Sequence, residues 1–441
     1  MASSERTRRA AGLDGLRAVA ALSVLCFHTW LYGFENPSAV ARNSLFDKAM
    51  FEMRLGLVFF FVLSGYLLYR GFARAALTGE GRVDVRRYAR RRIARIVPAY
   101  WVATVGAVAL LWGARGTPGV RLPAASDLPL FAVFGQNYSL STIMRLNPVT
   151  WTLCVEAAFY VLLPLLGWAA WRLGPRARGR QALLVGALIP LGLAWNALVH
   201  AHTWNILASK ALPAYLPYFA CGMLMALWSE ARGERAPPAS GGDAPARSGG
   251  GAAAWASGGG AAAPSSTGGA APRSADDGGP PLGGRASAAL VVGGCALVAA
   301  DAYWHATAAP RAVNSWLAVL ADVPAGLGFA LVVAAVAVGG GAATRWTSVR
   351  PLAWVGLVSY GVYMWHVPLL LFERSIGVFP HTYIVRLLAL LGPVLLVAAA
   401  SWYLVERPAV TWAGRPSRDR RRRARQAERS RRAQLEAHAA P

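Results

Sequence analysis

Lysine is nearly missing from this chain of 441 residues. Only Lys48 and Lys210 occur, so almost all of the 45 basic residues are arginine, set against 21 acidic ones. The resulting net charge of +24 invites a nucleic-acid reading. Abundant Ala, Gly and Arg together look like a coding bias, however, and the positions of the charges carry more information than their sum. Cysteine is scarce as well: Cys26, Cys154, Cys221 and Cys295 are scattered, mostly in apolar segments. No CxxC and no metal-ligand spacing occurs, which excludes a disulfide framework or a zinc knuckle and leaves no metal expected. His200 and His202 form an H-x-H with no third ligand in sight. GxGxxG and Walker loops, a long soluble domain and a repeat between halves are all lacking. Dinucleotide chemistry, P-loop chemistry and a duplicated transporter therefore gain no support.

Apolar length is what the chain has. It is 55% hydrophobic, with a mean hydropathy of +0.37. Several runs exceed the roughly 18 residues that separate membrane spans from buried core helices. The expected fold is all-α integral membrane, a polytopic bundle of about ten transmembrane helices. The spans fall near 14–34, 51–70, 96–114, 149–172, 183–200, 210–229, 288–305, 314–338, 351–372 and 384–405. "RTRR" ahead of the first span mimics a signal peptide, but no small-residue cleavage site follows, so an uncleaved span is expected. Arginine clusters before the first span, at 86–95, at 171–180 and at 415–432, alternate with arginine-poor loops. The positive-inside rule then predicts a multi-pass protein of the plasma membrane with both termini cytoplasmic.

Residues 231–287 are Gly, Ala, Pro and Ser with few apolar side chains, which predicts a disordered cytoplasmic linker. It divides the chain into six spans (1–230) and four (288–412), followed by a basic tail at 413–441 suited to a solvated or lipid-surface role.

Polar stripes interrupt the apolar spans. In "LDGLRAVAALSVLCFHTW" (13–30), Arg17 and His28 are eleven residues apart, so at about 100° per residue they lie within about 20° of each other. Asp14 falls on the same side, three residues before Arg17. In "NPVTWTLCVEAAFYVLLPLL" (147–166), Thr152, Glu156 and Tyr160 form a second stripe at spacings of four. Counted by helix rise from opposite faces, His28 and Glu156 reach similar depths, and neighbouring helices would let them meet. In "RRRIAR" (90–95), Arg92 and Arg95 share a face suited to bidentate phosphate binding, although ordinary positive-inside charge explains them equally well. In "SYGVYMWHVPLLL" (359–371), Ser359, Tyr363 and His366 share a third face. Ionisable groups at membrane depth are costly and usually face a bundle interior. Interhelical hydrogen bonds, a proton-coupled transporter and an enzyme all remain open on spacing alone.

"LDGLRAVAALSVLCFH", "FFFVLSGYLL", "RRRIARIVPAYW", "WTLCVEAAFYVLLPLL", "SYGVYMWH" and "YLVERP" occur in this order. Together they closely resemble the acyltransferase-3 family of integral-membrane O-acyltransferases over roughly 13–412, apart from the linker. The family pattern matches Arg17 and His28, the R-x-x-R of Arg92 and Arg95, and Trp151 with Glu156. Thr152 stands where Ser is usual, and Ala157 where a second polar residue often follows.

The resemblance implies an acyltransferase transferring groups other than amino-acyl groups. An acetyl or other short acyl group would pass from acyl-CoA, a donor substrate rather than a bound cofactor, to a hydroxyl of a sugar, cell-surface glycan or secondary metabolite. Such chemistry needs a general base and a stabilised oxyanion. His28 is the candidate base, with Glu156 or Asp14 orienting it. Arg17 would serve the oxyanion or donor, and Arg92 and Arg95 the CoA phosphates. Ser359, Tyr363 and His366 are secondary candidates, and a covalent acyl-histidine would use the same groups. Some family members carry an extra span and an extracytoplasmic SGNH-like domain. The short basic tail leads to the expectation of a stand-alone acyltransferase whose partners are the bilayer, acyl-CoA and the acceptor, with no nucleic acid.

Overall fold

The computed structural model describes residues 2–34, 44–79, 81–201, 206–234, 282–307, 319–339 and 341–415. Its helices are α1 (Ala2–Leu31), α2 (Leu45–Glu52), α3 (Gly56–Thr78), α4 (Val85–Leu111), α5 (Leu128–Ala132), α6 (Trp151–Leu173), α7 (Arg178–Gly186) and α8 (Leu188–Ala201). They continue with α9 (Ile206–Ser209), α10 (Leu212–Glu234), α11 (Gly284–Thr307), α12 (Val323–Val338), α13 (Ala342–Thr347), α14 (Arg350–Ser375), α15 (Tyr383–Ser401) and α16 (Arg407–Gly414). Extended pairing among the described residues is limited to an isolated bridge between Leu282 and Gly339. The protein is an all-α polytopic bundle, as the apolar runs predict. Lipid offers no hydrogen bonds, so each spanning segment must satisfy its backbone internally.

Nine helical segments among the described residues are long and apolar enough to cross a membrane. The tenth expected span, 314–338, is represented by the shorter α12. Several boundaries differ from expectation. Helix α1 begins twelve residues before the apolar run, at Ala2 rather than 14. Asp84 starts α4 at Val85, because its side chain accepts the Arg87 N–H at the N-terminus, so the arginine-rich stretch is helix and not loop. The second span is preceded by α2, which Ser44 and Asp47 open with a reciprocal capping box. Helices α10 and α11 run into the expected linker as far as Glu234 and from Gly284, and residues 235–281 lie outside those described. The basic tail beyond 415 and His202 likewise lie outside them.

Helix α3 packs along α10, α1 along α14, and α11 against α12, with α12 also touching α3 and α10. Apolar attraction between helices is weak in lipid, so close backbone approach has to supply the contact. A Cβ on Gly65 would collide with the Phe219 carbonyl, and one on Gly222 with that of Val62, so α3 and α10 meet backbone to backbone. Two apolar clusters result. One gathers α3, α6, α10 and α12 with Leu13, Leu16 and Ala20 of α1, the other the rest of α1 with α4, α14, α15 and Leu153 of α6, and Leu57 and Phe60 of α3 pack against both. The polar stripes converge along this seam.

Candidate active site

Arg17, Arg92 and Arg95 line one cavity with Glu156, Ser359 and Tyr363. It encloses about 780 Å³ of empty space, part of it open to solvent. Three helices supply the guanidinium groups and the carboxylate: α1 gives Arg17, α4 gives Arg92 and Arg95, and α6 gives Glu156. The i, i+3 spacing on α4 turns both of its arginines to the same side. Three guanidiniums against one carboxylate make the lining attractive to an anion. The buried Nε of Arg92 has no hydrogen-bond partner among the described residues, and its guanidinium lies 5.9 Å from the Tyr88 ring centroid. Asp14 pairs with Arg17 at 3.4 Å, an i, i+3 contact as spaced in the sequence. Gly356 of α14 lies so close to the Asp14 carbonyl that a Cβ could not fit, which brings the Ser359 face to this cavity.

Two hydroxyls of the lining are joined to each other. Tyr363 and Thr152 share a hydrogen bond of 2.8 Å, and both also reach the Val149 carbonyl, at 3.1 and 3.0 Å. One structural device holds this corner. Pro368 has no N–H to return to the Met364 carbonyl one turn earlier. The Asn147 side-chain amide donates to that carbonyl instead, at 2.9 Å, tying the entry of α6 to α14.

One turn beyond Tyr363 stands His366, its ring centroid 5.9 Å from the tyrosine ring. Its Nε2 lies 3.0 Å from Nδ1 of His28. The protons follow from the partners. His366 Nδ1 lies 3.0 Å from the Val362 carbonyl, which can only accept, so Nδ1 carries the hydrogen and Nε2 a lone pair. His28 Nδ1 faces that lone pair and, at 3.0 Å, the Val24 carbonyl, so it is the protonated nitrogen there. The basic nitrogen of the pair is therefore His28 Nε2.

This geometry corrects one expectation. His28 is oriented by His366 and not by Glu156. The Glu156 carboxylate accepts a 2.8 Å hydrogen bond from Ser64 Oγ on α3, and it belongs to the arginine-lined cavity. Depth along the membrane placed Glu156 and His28 at one level but could not say which helices are neighbours. The other sequence candidates fall into two groups. Arg17, Arg92, Arg95, Glu156, Ser359 and Tyr363 share the cavity, with Asp14 at its edge, and His28 and His366 form the pair beyond it.

An acyltransferase domain matches residues 10–404 of this chain. The chain belongs to the acyltransferase-3 family. O-acetyltransferase OatA of Staphylococcus aureus (strain NCTC 8325 / PS 47) is 28% identical over 196 residues, covering 41% of this chain and 28% of that protein. The putative peptidoglycan O-acetyltransferase YrhL of Bacillus subtilis (strain 168) is 30% identical over 169 residues, 35% of this chain and 23% of that protein. The chain thus matches less than a third of the length of either relative. No solved structure matches.

Membership in the acyltransferase-3 family gives context to two residues that sequence spacing did not single out. Ser64, inside "FFFVLSGYLL", holds the Glu156 carboxylate. Glu406, inside "YLVERP", is buried on a π-helical turn (Trp402–Glu406), within the electrostatic reach of Arg95. A π-turn re-aims a side chain relative to the α-helix around it, which periodicity cannot anticipate.

Proposed function

We propose that the chain transfers an acetyl or other short acyl group from acyl-CoA to a hydroxyl of a carbohydrate or secondary metabolite, with a cell-wall glycan the favoured acceptor. The observation carrying this reading is the run of polar groups along α14. Tyr363 lines the cavity of the three arginines, and one turn further on His366 meets His28, whose Nε2 is the basic nitrogen. The similarity to OatA, an O-acetyltransferase, and to YrhL, a putative peptidoglycan O-acetyltransferase, supports the acyl and acceptor classes.

The arginines would hold the CoA phosphates, where guanidinium forks bind anionic oxygens bidentately. The arginine-rich end would face the cytoplasm, where CoA resides, with both termini on that side of a plasma membrane. His28 Nε2 would take the proton of the acceptor hydroxyl as its oxygen attacks the thioester carbonyl. The Nδ1–H of the resulting imidazolium still donates to His366 Nε2 and to the Val24 carbonyl. Collapse of the tetrahedral intermediate breaks the carbon–sulfur bond, and the CoA thiolate recovers the proton from His28. Glu156, held by Ser64, would set the electrostatics around Arg17.

The test is the purified chain in detergent or vesicles with acetyl-CoA and soluble glycan fragments. CoA thiol release coupled to acetylated product, found by mass spectrometry, is the expected result. Movement of a solute across vesicles with no CoA release would replace the enzyme by a transporter.

A further inference from the structure

Away from the arginine-lined cavity, α11, α12 and the α2–α3 junction bring together three carboxylates, a histidine and an arginine. Asp301 and His305 lie four apart on α11, which puts them on one face. Asp322 immediately precedes α12, and Glu52 and Arg54 lie just before α3. One ligand atom from each of Asp301, His305 and Asp322 can be chosen so that all lie within 4.8 Å of one another. Glu52 Oε2 is 3.9 Å from His305 Nδ1.

Three observations point to a cation site. Asp301 is 2% exposed, and among the described residues its Oδ1 has no hydrogen-bond partner; Oδ2 lies 3.3 Å from His305 Nδ1. A buried carboxylate without donors is costly unless a positive charge neutralises it. The guanidinium is also shared. Arg54 holds Asp322 through both of its oxygens, at 2.7 and 2.8 Å, and reaches Glu52 Oε2 at 3.3 Å, while Asp301 has His305 beside it. Finally, His305 Nδ1 lies 3.0 Å from the Asp301 backbone carbonyl, so that nitrogen carries the hydrogen in the neutral ring. The Nε2 lone pair then faces Asp322 Oδ1 across 3.6 Å, two acceptors that a cation would bridge. A histidine whose second nitrogen is anchored to a carbonyl is the usual arrangement of a metal ligand.

We propose that Asp301, His305 and Asp322, with Glu52 beside them, bind one divalent cation of the Zn²⁺ or Mn²⁺ class. An imidazole with carboxylates and no thiolate suits these ions. Arg54 orients the Asp322 ligand from outside. The ion ties the α11–α12 hairpin to the start of α3, and it does not depend on the acyl-transfer reading.

The experiment uses the full chain, purified in detergent, stripped with EDTA and dialysed. It is then titrated with ZnCl₂ and with MnCl₂. Bound metal is measured by mass spectrometry and the thermal midpoint by intrinsic fluorescence. One equivalent of metal and an upward shift of the midpoint are expected. Both are lost in Asp301→Asn and in His305→Gln, and both persist in Cys295→Ser and in His200→Gln. Glu52→Gln, at the edge of the set, weakens affinity by about tenfold, as outer ligands do, and stands in should the Asp301 variant fail to fold. A wild-type chain that binds no metal and shows no metal-dependent shift overturns the site in favour of a protonated His305. Binding undiminished in Asp301→Asn, or in Glu52→Gln where that variant stands in, overturns it too.

Discussion

His366 Nε2 and His28 Nδ1 stand 3.0 Å apart although 338 residues separate them in the chain. The contact leaves His28 Nε2 as the basic atom, so His28 should be the residue whose loss stops transfer. Removing a general base costs roughly 10²–10⁴-fold in rate. His28→Ala and His28→Gln should both fold and bind acyl-CoA yet transfer almost nothing. His366→Gln, whose side-chain oxygen can still accept from His28, should be milder than His366→Phe. Turnover by purified variants with parallel donor binding checks this, and near-normal turnover in His28→Gln would reduce His28 to a structural hydrogen bond.

The second prediction concerns the donor. Arg92 and Arg95 share the cavity, and Arg92 Nε is buried without a partner among the described residues. Arg92→Ala and Arg95→Ala should raise the acyl-CoA KM more than they lower kcat. Arg95→Lys keeps the charge but loses the fork, so it should be impaired as well. An unchanged KM and unchanged donor binding in both alanine variants would make the pair topological charge alone.

Membrane orientation is the third. The alternation of arginine-rich and arginine-poor loops places positions 250 and 430 in the cytoplasm and position 120 outside. Single cysteines introduced there, in a chain freed of its own four, should be labelled by impermeant maleimide only at 120. Labelling of position 250 from outside would reverse or break this topology.

A fourth prediction tests the corner held by Asn147. In Asn147→Ala the buried Met364 carbonyl loses its donor, which should cost about 1–3 kcal/mol of stability. Pro368→Ala returns a backbone N–H to the same carbonyl. The cost of Asn147→Ala should therefore shrink in that background, and unfolding of the four proteins of the double-mutant cycle measures it. Equal costs in both backgrounds would show that the Asn147 contact does not replace the bond that Pro368 removes.

Spacing along single helices was readable in the sequence, and the structure keeps it. Asp14 meets Arg17, and Arg92 shares its face with Arg95. Ser359, Tyr363 and His366 follow one another along α14, from the cavity to the histidine pair. Pairing between helices was not readable, because a period of 3.6 residues fixes which side chains share a face and says nothing of which helix that face meets. Periodicity therefore could not show that His28 meets His366, where Glu156 or Asp14 was expected, nor that Asp301 and His305 face Asp322 and Glu52 from elsewhere in the chain. Helix starts were misplaced where a cap rather than hydropathy sets them, as Asp84 does for α4.

The backbone contact between α3 and α10 has a mechanical meaning. Gly65 and Gly222 leave no side-chain layer there to slide, so the two helices behave as one stiff strut carrying Ser64 and, through it, Glu156. Compliance must be found elsewhere. On the other side of the seam, α14 carries Pro368 in its interior, where the Asn147 side-chain amide takes up the carbonyl that the proline leaves unpaired. Any movement of the Tyr363 and His366 face should therefore hinge on α14 near that proline, with the strut as its fixed wall.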